Sequence, residues 1–185
     1  QKGKVDTNQV YRYLDYGYLW EAYSLDSAGK WYKKAGDLSK QIGFPLGEIK
    51  YRTNYTYVLN LKGKHTESVK LNLECLKLAR KHPELNYINK SLTNLAISYI
   101  HLGKYEDGIR YLQQAADGFQ KDGFPQMLPG IYSKMGQAMA QAGLPERSLA
   151  YNLKGLALLR ALPPDTILLI EALTGVYSNY KQMEL

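Results

Sequence analysis

The feature that most narrows what this chain can fold into is a repetition at a spacing of 40 residues. Gly63, Gly103 and Gly143 recur at that interval. So do the small residues Ala28, Ser68, Gly108 and Ser148, and again Ala35, Cys75, Ala115 and Gly155. Four copies in one register, small at nearly every site, define a repeat array. In such an array each unit buries its apolar face only by stacking on its neighbours.

The clearest copy lies within Leu92–Gln120. Leu92, Leu95, Ala96 and Tyr99 are three, four and seven apart, so they share one face of a helix. Gly108, Leu112 and Ala115 do the same on a second helix, and Gly103 stands where the first must stop and the chain turn back. Small residues at 96, 108 and 115 let the two backbones approach closely. This is one helix–turn–helix hairpin.

The other copies follow in order. Residues 1–7 are polar and expected to fray. Helix A of the first repeat is expected over about 8–24, with Tyr13, Tyr16, Gly17 and Trp20 inward, one residue out of step with later copies. Its helix B is expected over 26–42, closed by Gly43-Phe44-Pro45. The second repeat places its helices near 45–61 and 66–81. Its helix A is the poorest, with Arg52 and Thr56 where Leu92 and Ala96 stand one repeat later. Pro83 opens the third repeat, and Gly123-Phe124-Pro125 ends it. In the fourth, Tyr132, Met135, Gly136 and Met139 form the inward stripe, and Pro145 opens helix B. Pro163-Pro164-Asp165 precedes a last helix over 165–182, with Ile170, Leu173, Thr174 and Tyr177 as its stripe. The pattern predicts an all-α chain, a single domain over 1–185 with repeats near 8–43, 44–82, 83–123 and 124–163. No stretch alternates with period two for long enough to predict a sheet.

Composition excludes several function classes. No apolar run approaches the ~18 residues that a membrane helix needs, and no signal-peptide pattern is visible. One cysteine excludes an internal disulfide framework. Charge is lopsided: residues 1–90 hold 16 Lys/Arg against 9 Asp/Glu, whereas 91–185 hold eight of each. A basic half attracts an acidic protein surface, a phosphate polymer or an anionic headgroup; a solvated lysine-rich exterior is the plainer account. Lys62, Lys64, Lys70, Lys77, Arg80 and Lys81 form the strip that a nucleic-acid reading needs, and such binding would fade steeply with salt.

Leu92-x2-Leu95-Ala96-x2-Tyr99 and Gly108 with Leu112 and Ala115 resemble the tetratricopeptide (TPR) signature, W-x2-L-G-x2-Y followed by A-x3-F. The resemblance covers roughly residues 8–182. The family's usual period is about 34 residues, so six more per repeat imply longer helices and loops. Long-period arrays resemble those of bacterial Rap-type peptide receptors and of sensor regions preceding histidine-kinase or LuxR-type DNA-binding modules. The resemblance implies a right-handed α-solenoid, no catalysis, no cofactor, and a concave groove, lined by helix A of each repeat, that holds a peptide or protein segment. Carried over by position, that groove presents Tyr11 and Tyr18 in the first repeat and Lys50, Asn54 and Tyr57 in the second. It continues with Lys90, Asn94 and His101 in the third and Lys134 and Gln137 in the fourth. Asn54 and Asn94 occupy one slot of adjacent repeats, and a side-chain amide both donates to and accepts from a peptide backbone. The two-carboxylate clamp of chaperone-binding members is incomplete: Asn54 with Lys90, or Asn94 with Lys134, match it, but Thr53 and Tyr57, or Leu14 and Tyr18, stand where its first Lys and Asn belong. Chain ends with little capping and a lone last helix A suggest the sensing or scaffolding part of a larger regulator.

Nothing in the chain assembles a reaction centre. Cys75 takes a slot filled elsewhere by alanine or glycine and is expected to be buried. His65, His82 and His101 lack ligand-like spacing, so no metal site is expected. No phosphate-binding glycine loop occurs, and no nucleophile is paired with a base. Asn54-Tyr-Thr and Asn89-Lys-Ser read as glycosylation sequons but fall in helices. Tyr16, Tyr32 and Tyr99 are expected in the core; Tyr11, Tyr18 and Tyr57 on the groove side, where an amphipathic ring binds at little entropic cost.

Overall fold

The computed structural model describes residues 7–160 and 166–183. These form nine α-helices and no strand: α1 (Thr7–Glu21), α2 (Leu25–Ile42), α3 (Pro45–Leu61), α4 (His65–Lys81), α5 (Ile88–His101), α6 (Tyr105–Lys121), α7 (Leu128–Gln141), α8 (Pro145–Leu159) and α9 (Thr166–Gln182). The helices α2, α4, α6 and α8 start at 25, 65, 105 and 145, so the 40-residue period sets the helix boundaries themselves.

Three of the hairpin turns close alike. Gly63, Gly103 and Gly143 adopt φ of 70–73°, a region that costs a side chain energy. At the first of them, the Gly63 and Lys64 amides donate to the Asn60 and Leu59 carbonyls at 3.0 and 2.8 Å, capping α3 in a Schellman arrangement. The first hairpin has Tyr23 in that slot. Its turn is closed by Ser24, whose amide donates to Trp20 O and whose Oγ accepts from the Ser27 amide, capping α2. The expected helix over 8–24 therefore ends at Glu21, and Thr7, expected to be frayed, is helical. Between repeats, Gly43 and Gly123 are left-handed. Pro83 fits the first turn of a helix but cannot adopt that conformation, so a short 3-10 turn (Pro83–Leu85) carries the chain to a left-handed Asn86 instead.

The helices group into two compact units, Gln1–Ser98 and Tyr99–Leu185. In the first, Val10, Leu14, Ala28, Tyr32, Ala35 and Val58 pack into one core, and Ile49, Cys75 and Ala79 into another. The buried line of α1 is Val10–Leu14–Gly17. Tyr16 and Trp20, expected inward, are 45% and 43% exposed. The tilt of the line leaves Tyr16 resting its ring 5.0 Å from that of Trp31 and Trp20 edge-on to Tyr23. Gly17 does point inward, because a Cβ there would strike the Tyr32 ring at 2.4 Å. Tyr32 fills that space fully buried and donates its hydroxyl to Glu21. The poor helix A of repeat two is rescued by pairing: Arg52, buried, lies 2.9 Å from Glu48 Oε2, donates to the Glu48 carbonyl and stacks on Tyr51.

In the second unit, α7 is the most enclosed helix, with Tyr132, Met135, Gly136 and Met139 all buried as the spacing predicts. Tyr99 is half-buried and stacks on Tyr111 at 5.4 Å. The inward line of α9 differs from expectation. Among its described side chains Ala172 and Asn179 are buried, whereas Ile170, Leu173, Thr174 and Tyr177 are exposed. The close approach of Gly175 to Asn152 turns the helix this way: a Cβ on Gly175 would meet the Asn152 amide nitrogen at 2.7 Å. The expected break at Pro163-Pro164-Asp165 lies outside the described residues.

Candidate functional site

The first unit holds a cavity of about 290 Å³ built by the helices at its A positions. On α1, Tyr11, Leu14, Asp15 and Tyr18 line it; on α3, Lys50, Thr53 and Asn54; at the start of α5, Tyr87 and Lys90. Spacings of three and four place each set on one helical face. The Lys50 ammonium lies 4.8 Å from the Tyr11 ring centroid, and Lys90 5.7 Å from that of Tyr87, distances at which a cation is drawn to the ring face. Tyr11 is itself held edge-on against Phe44 at 5.9 Å. Burial pushes the Tyr87 phenol up, so it stays a hydrogen-bond donor. The cavity thus offers two ammonium groups, three phenols, a carboxamide and one carboxylate.

Of the residues picked from the sequence, Tyr11, Tyr18, Lys50, Asn54 and Lys90 come together here. Tyr57 is exposed on α3 but lies outside the cavity. Asn94 is half-buried; its carbonyl accepts from Asn72 Nδ2 at 3.3 Å and from Ser98 Oγ at 3.2 Å. His101 is exposed at the end of α5, and Lys134 is half-buried on α7. Gln137 lines a separate cavity of about 430 Å³ among α7, α8 and α9. Sequence reasoning missed Tyr87, which precedes α5. The 3-10 turn that sets the start of this helix leaves no trace in the 40-residue register.

Cys75 is fully buried, with its Sγ 3.6 Å from Ser91 Oγ and 3.8 Å from the Ile49 carbonyl; burial pushes the thiol up. A thiol so held is a small core residue. Asn89 is buried in α5, which denies its sequon an accessible acceptor. In the basic strip, Lys62 is paired with Asp26 and Lys64 lies 3.1 Å from Glu67, whereas Lys70, Lys77, Arg80 and Lys81 are exposed on α4. Among the described residues no cluster of three or more His, Cys, Asp or Glu is placed to hold a metal ion. No described helix is long and apolar enough to cross a membrane.

No protein-family model matches the sequence, and no curated protein does either. Solved structures do match. BtubC (BKLC) from P. vanneervenii superposes with a TM-score of 0.82 at 16% identity, over 96% of this chain and 74% of that one. A signal transduction ATPase with numerous domains and a tetratricopeptide-repeat sensor, from Pyrococcus horikoshii, superposes at 0.74 with 22% identity, over 97% of this chain. Aspartyl phosphate phosphatase F from Bacillus subtilis superposes at 0.78 with 14% identity, over 96% of this chain. This chain spans 28% of the ATPase and 50% of the phosphatase. Identities this low speak for the fold alone. The chain has the all-α tetratricopeptide-repeat solenoid fold, with repeats of 40 residues.

Proposed function

We propose that this chain is a non-catalytic module that binds a peptide or a segment of another protein through the A-helix faces of its repeats, as one domain over residues 1–185. The observation that carries the reading is the α1–α3–α5 cavity. Lys50 and Lys90 ride on Tyr11 and Tyr87 there, with Asn54 between charged and aromatic neighbours. Aromatic faces supply contact area, the amide pairs with main-chain groups, and the two ammoniums favour a segment with acidic side chains. Tyr57 and Asn94 extend the proposed binding face within the first unit, and His101, Lys134 and Gln137 are the groove residues proposed for the second.

The module is read as the sensing or scaffolding part of a larger bacterial regulator of histidine-kinase or helix-turn-helix type. A likeness in fold to part of a signal transduction ATPase that carries a tetratricopeptide-repeat sensor supports this reading. Binding across several repeats would favour one curvature of the array over another, and an attached module would respond to that population shift. Selection of 12-residue peptides on the immobilised chain, followed by fluorescence polarisation of an enriched peptide, tests the binding role. An enriched acidic peptide that loses affinity on Lys50→Ala supports it. Enrichment of nothing, or affinity indifferent to Lys50 and Lys90, would overturn it.

A further inference from the structure

The α7–α8–α9 cavity is lined by uncharged side chains among the described residues. Among the described residues that line it, none is ionisable, and hydroxyls and carboxamides dominate. Two of its lining residues carry a buried polar atom with no hydrogen-bond partner among the described residues, Ser148 Oγ on α8 and Asn179 Nδ2 on α9. Both side chains are 1% exposed. Leaving such groups unpaired is costly, so two of them at one cavity point to something that completes them.

In the first unit the corresponding hydroxyl and amide nitrogen are paired, although Asn72 Oδ1 has no partner among the described residues. Ser68 and Asn72 occupy the slots of Ser148 and Asn152, 80 residues earlier. There the hydroxyl of Ser98 on α5 lies 2.7 Å from Ser68 Oγ and 3.0 Å from Asn72 Nδ2, and the gap between the helices is filled. The residue 80 positions after Ser98 is Ser178. It stands exposed at the wall of the cavity, and Ser148 is without its bond. The same Ser-x3-Asn device is closed by a neighbouring helix in one unit and left open in the other. The opening, about 430 Å³, falls in the range of small-ligand sites.

We propose that this cavity is a subsite for a neutral carboxamide. Asn179 Nδ2 can only donate, so it calls for a carbonyl oxygen, while the Ser148 hydroxyl can take an N–H or give its proton. A carboxamide presents both functions on one carbon. A carboxylate would enter a site with no cation to offset its desolvation. An ammonium offers no acceptor, and an aliphatic group would leave both orphans unpaired. Asn152, wedged so that a Cβ on Gly136 or Gly175 would strike its amide, fixes the width of the floor. The group has two sources in a polypeptide, the side chain of Gln or Asn and the backbone amide. The inference rests on the peptide-binding reading only for that provenance, since the α1–α3–α5 cavity plays no part in it.

The test is an NMR titration of the 185-residue chain, following side-chain amide resonances, with butyramide, butyrate and N-acetylglycine N-methylamide as probes. Butyramide is expected to shift the Asn179 and Asn152 amides saturably, with at least tenfold weaker binding for butyrate. Ser148→Ala and Asn179→Ala are each expected to weaken butyramide at least fivefold, with unchanged helical circular dichroism. Should Asn179→Ala unfold, Ser148→Ala carries the test alone. Matching affinity for N-acetylglycine N-methylamide would assign the backbone as source; preference for butyramide would assign a Gln or Asn side chain. Equal response to butyrate, or no saturable shift from any probe, would overturn the proposal, the orphans then being met by water or by a shift of α9. Because the probes are not peptides, butyramide binding that survives Lys50→Ala separates this site from a failure of the peptide-binding reading.

Discussion

The hydroxyls of Ser68 and Ser98 lie 2.7 Å apart between α4 and α5, fully shielded from water. Ser98 also accepts from the Asn72 and Asn60 amides, at 3.0 and 3.3 Å, and its Oγ lies 3.2 Å from the Asn94 carbonyl. One oxygen thus joins side chains of α3, α4 and α5. In an array held mainly by small apolar contacts, a shared polar hub fixes register as well as adding stability.

Ser98→Ala removes that hub and leaves buried partners short of an acceptor. The expected loss is about 1–3 kcal/mol, read from urea unfolding. A midpoint equal to that of the parent protein would show that the network contributes nothing to stability.

Ala115 is fully buried on α6, in the slot shared with Ala35, Cys75 and Gly155. Ala115→Leu adds volume where two helices meet and should cost roughly 1–3 kcal/mol by overpacking. Thermal melting followed at 222 nm reads it directly, and an unchanged melt would contradict the interface assigned to this face of α6.

Tyr32 carries a pH signature. Desolvation first, and then its bond to Glu21, push the phenol far above its ordinary value. The folded state therefore keeps a proton that the unfolded chain loses near pH 10. Its contribution is complete below pH 10 and declines above it, by about 1.4 kcal/mol per pH unit while only the unfolded phenol is ionised. Tyr32→Phe should flatten this alkaline decline by about one proton, measured as stability against pH from 9 to 11. Tyr51 and Tyr87, both raised by burial, will keep some slope. Identical slopes would mean that Tyr32 ionises in the folded state as freely as in the unfolded one.

For the α1–α3–α5 cavity, Asn54→Ala should weaken a selected peptide about five- to thirtyfold, the loss of one or two hydrogen bonds at about 1 kcal/mol each. Asn94→Ala tests whether the adjacent repeat takes part, since its side chain stands outside this cavity. Fluorescence polarisation with matched circular dichroism separates lost contact from lost fold. Unchanged affinity for Asn54→Ala would remove that amide from the site.

Much of the architecture was legible because the period was written in small residues. Ala28, Ser68, Gly108 and Ser148 are all buried, and the glycines at 63, 103 and 143 all adopt the left-handed conformation. The misreadings fall on α1 and α9. Apolar spacing gave Tyr16 and Trp20 on α1, and Ile170 and Tyr177 on α9, an inward role. Which of two similar faces turns inward was decided instead by the close approaches of Gly17 to Tyr32 and of Gly175 to Asn152. Such approaches depend on pairs of residues far apart in sequence, and helical periodicity carries no record of them. The α7–α8–α9 cavity was hidden for the same reason: Ser148 and Asn152 look like Ser68 and Asn72 until the helix opposite them is in place.

The wedge of Asn152 between Gly136 and Gly175 also bears on how such an array can be recombined. Residue 152 is tied both to the helix before it and to the helix after it, Tyr32 is tied to Gly17 within its own hairpin, and Asn72 to Ser98 in the next. A crossover placed at the nominal repeat boundary would keep the first kind of tie and sever the last. In the second and fourth repeats the coupled set spans three helices, so chimeras should carry each second helix together with the first helices on both sides of it, α3–α4–α5 and α7–α8–α9. In the first repeat, the hairpin itself is the unit of exchange.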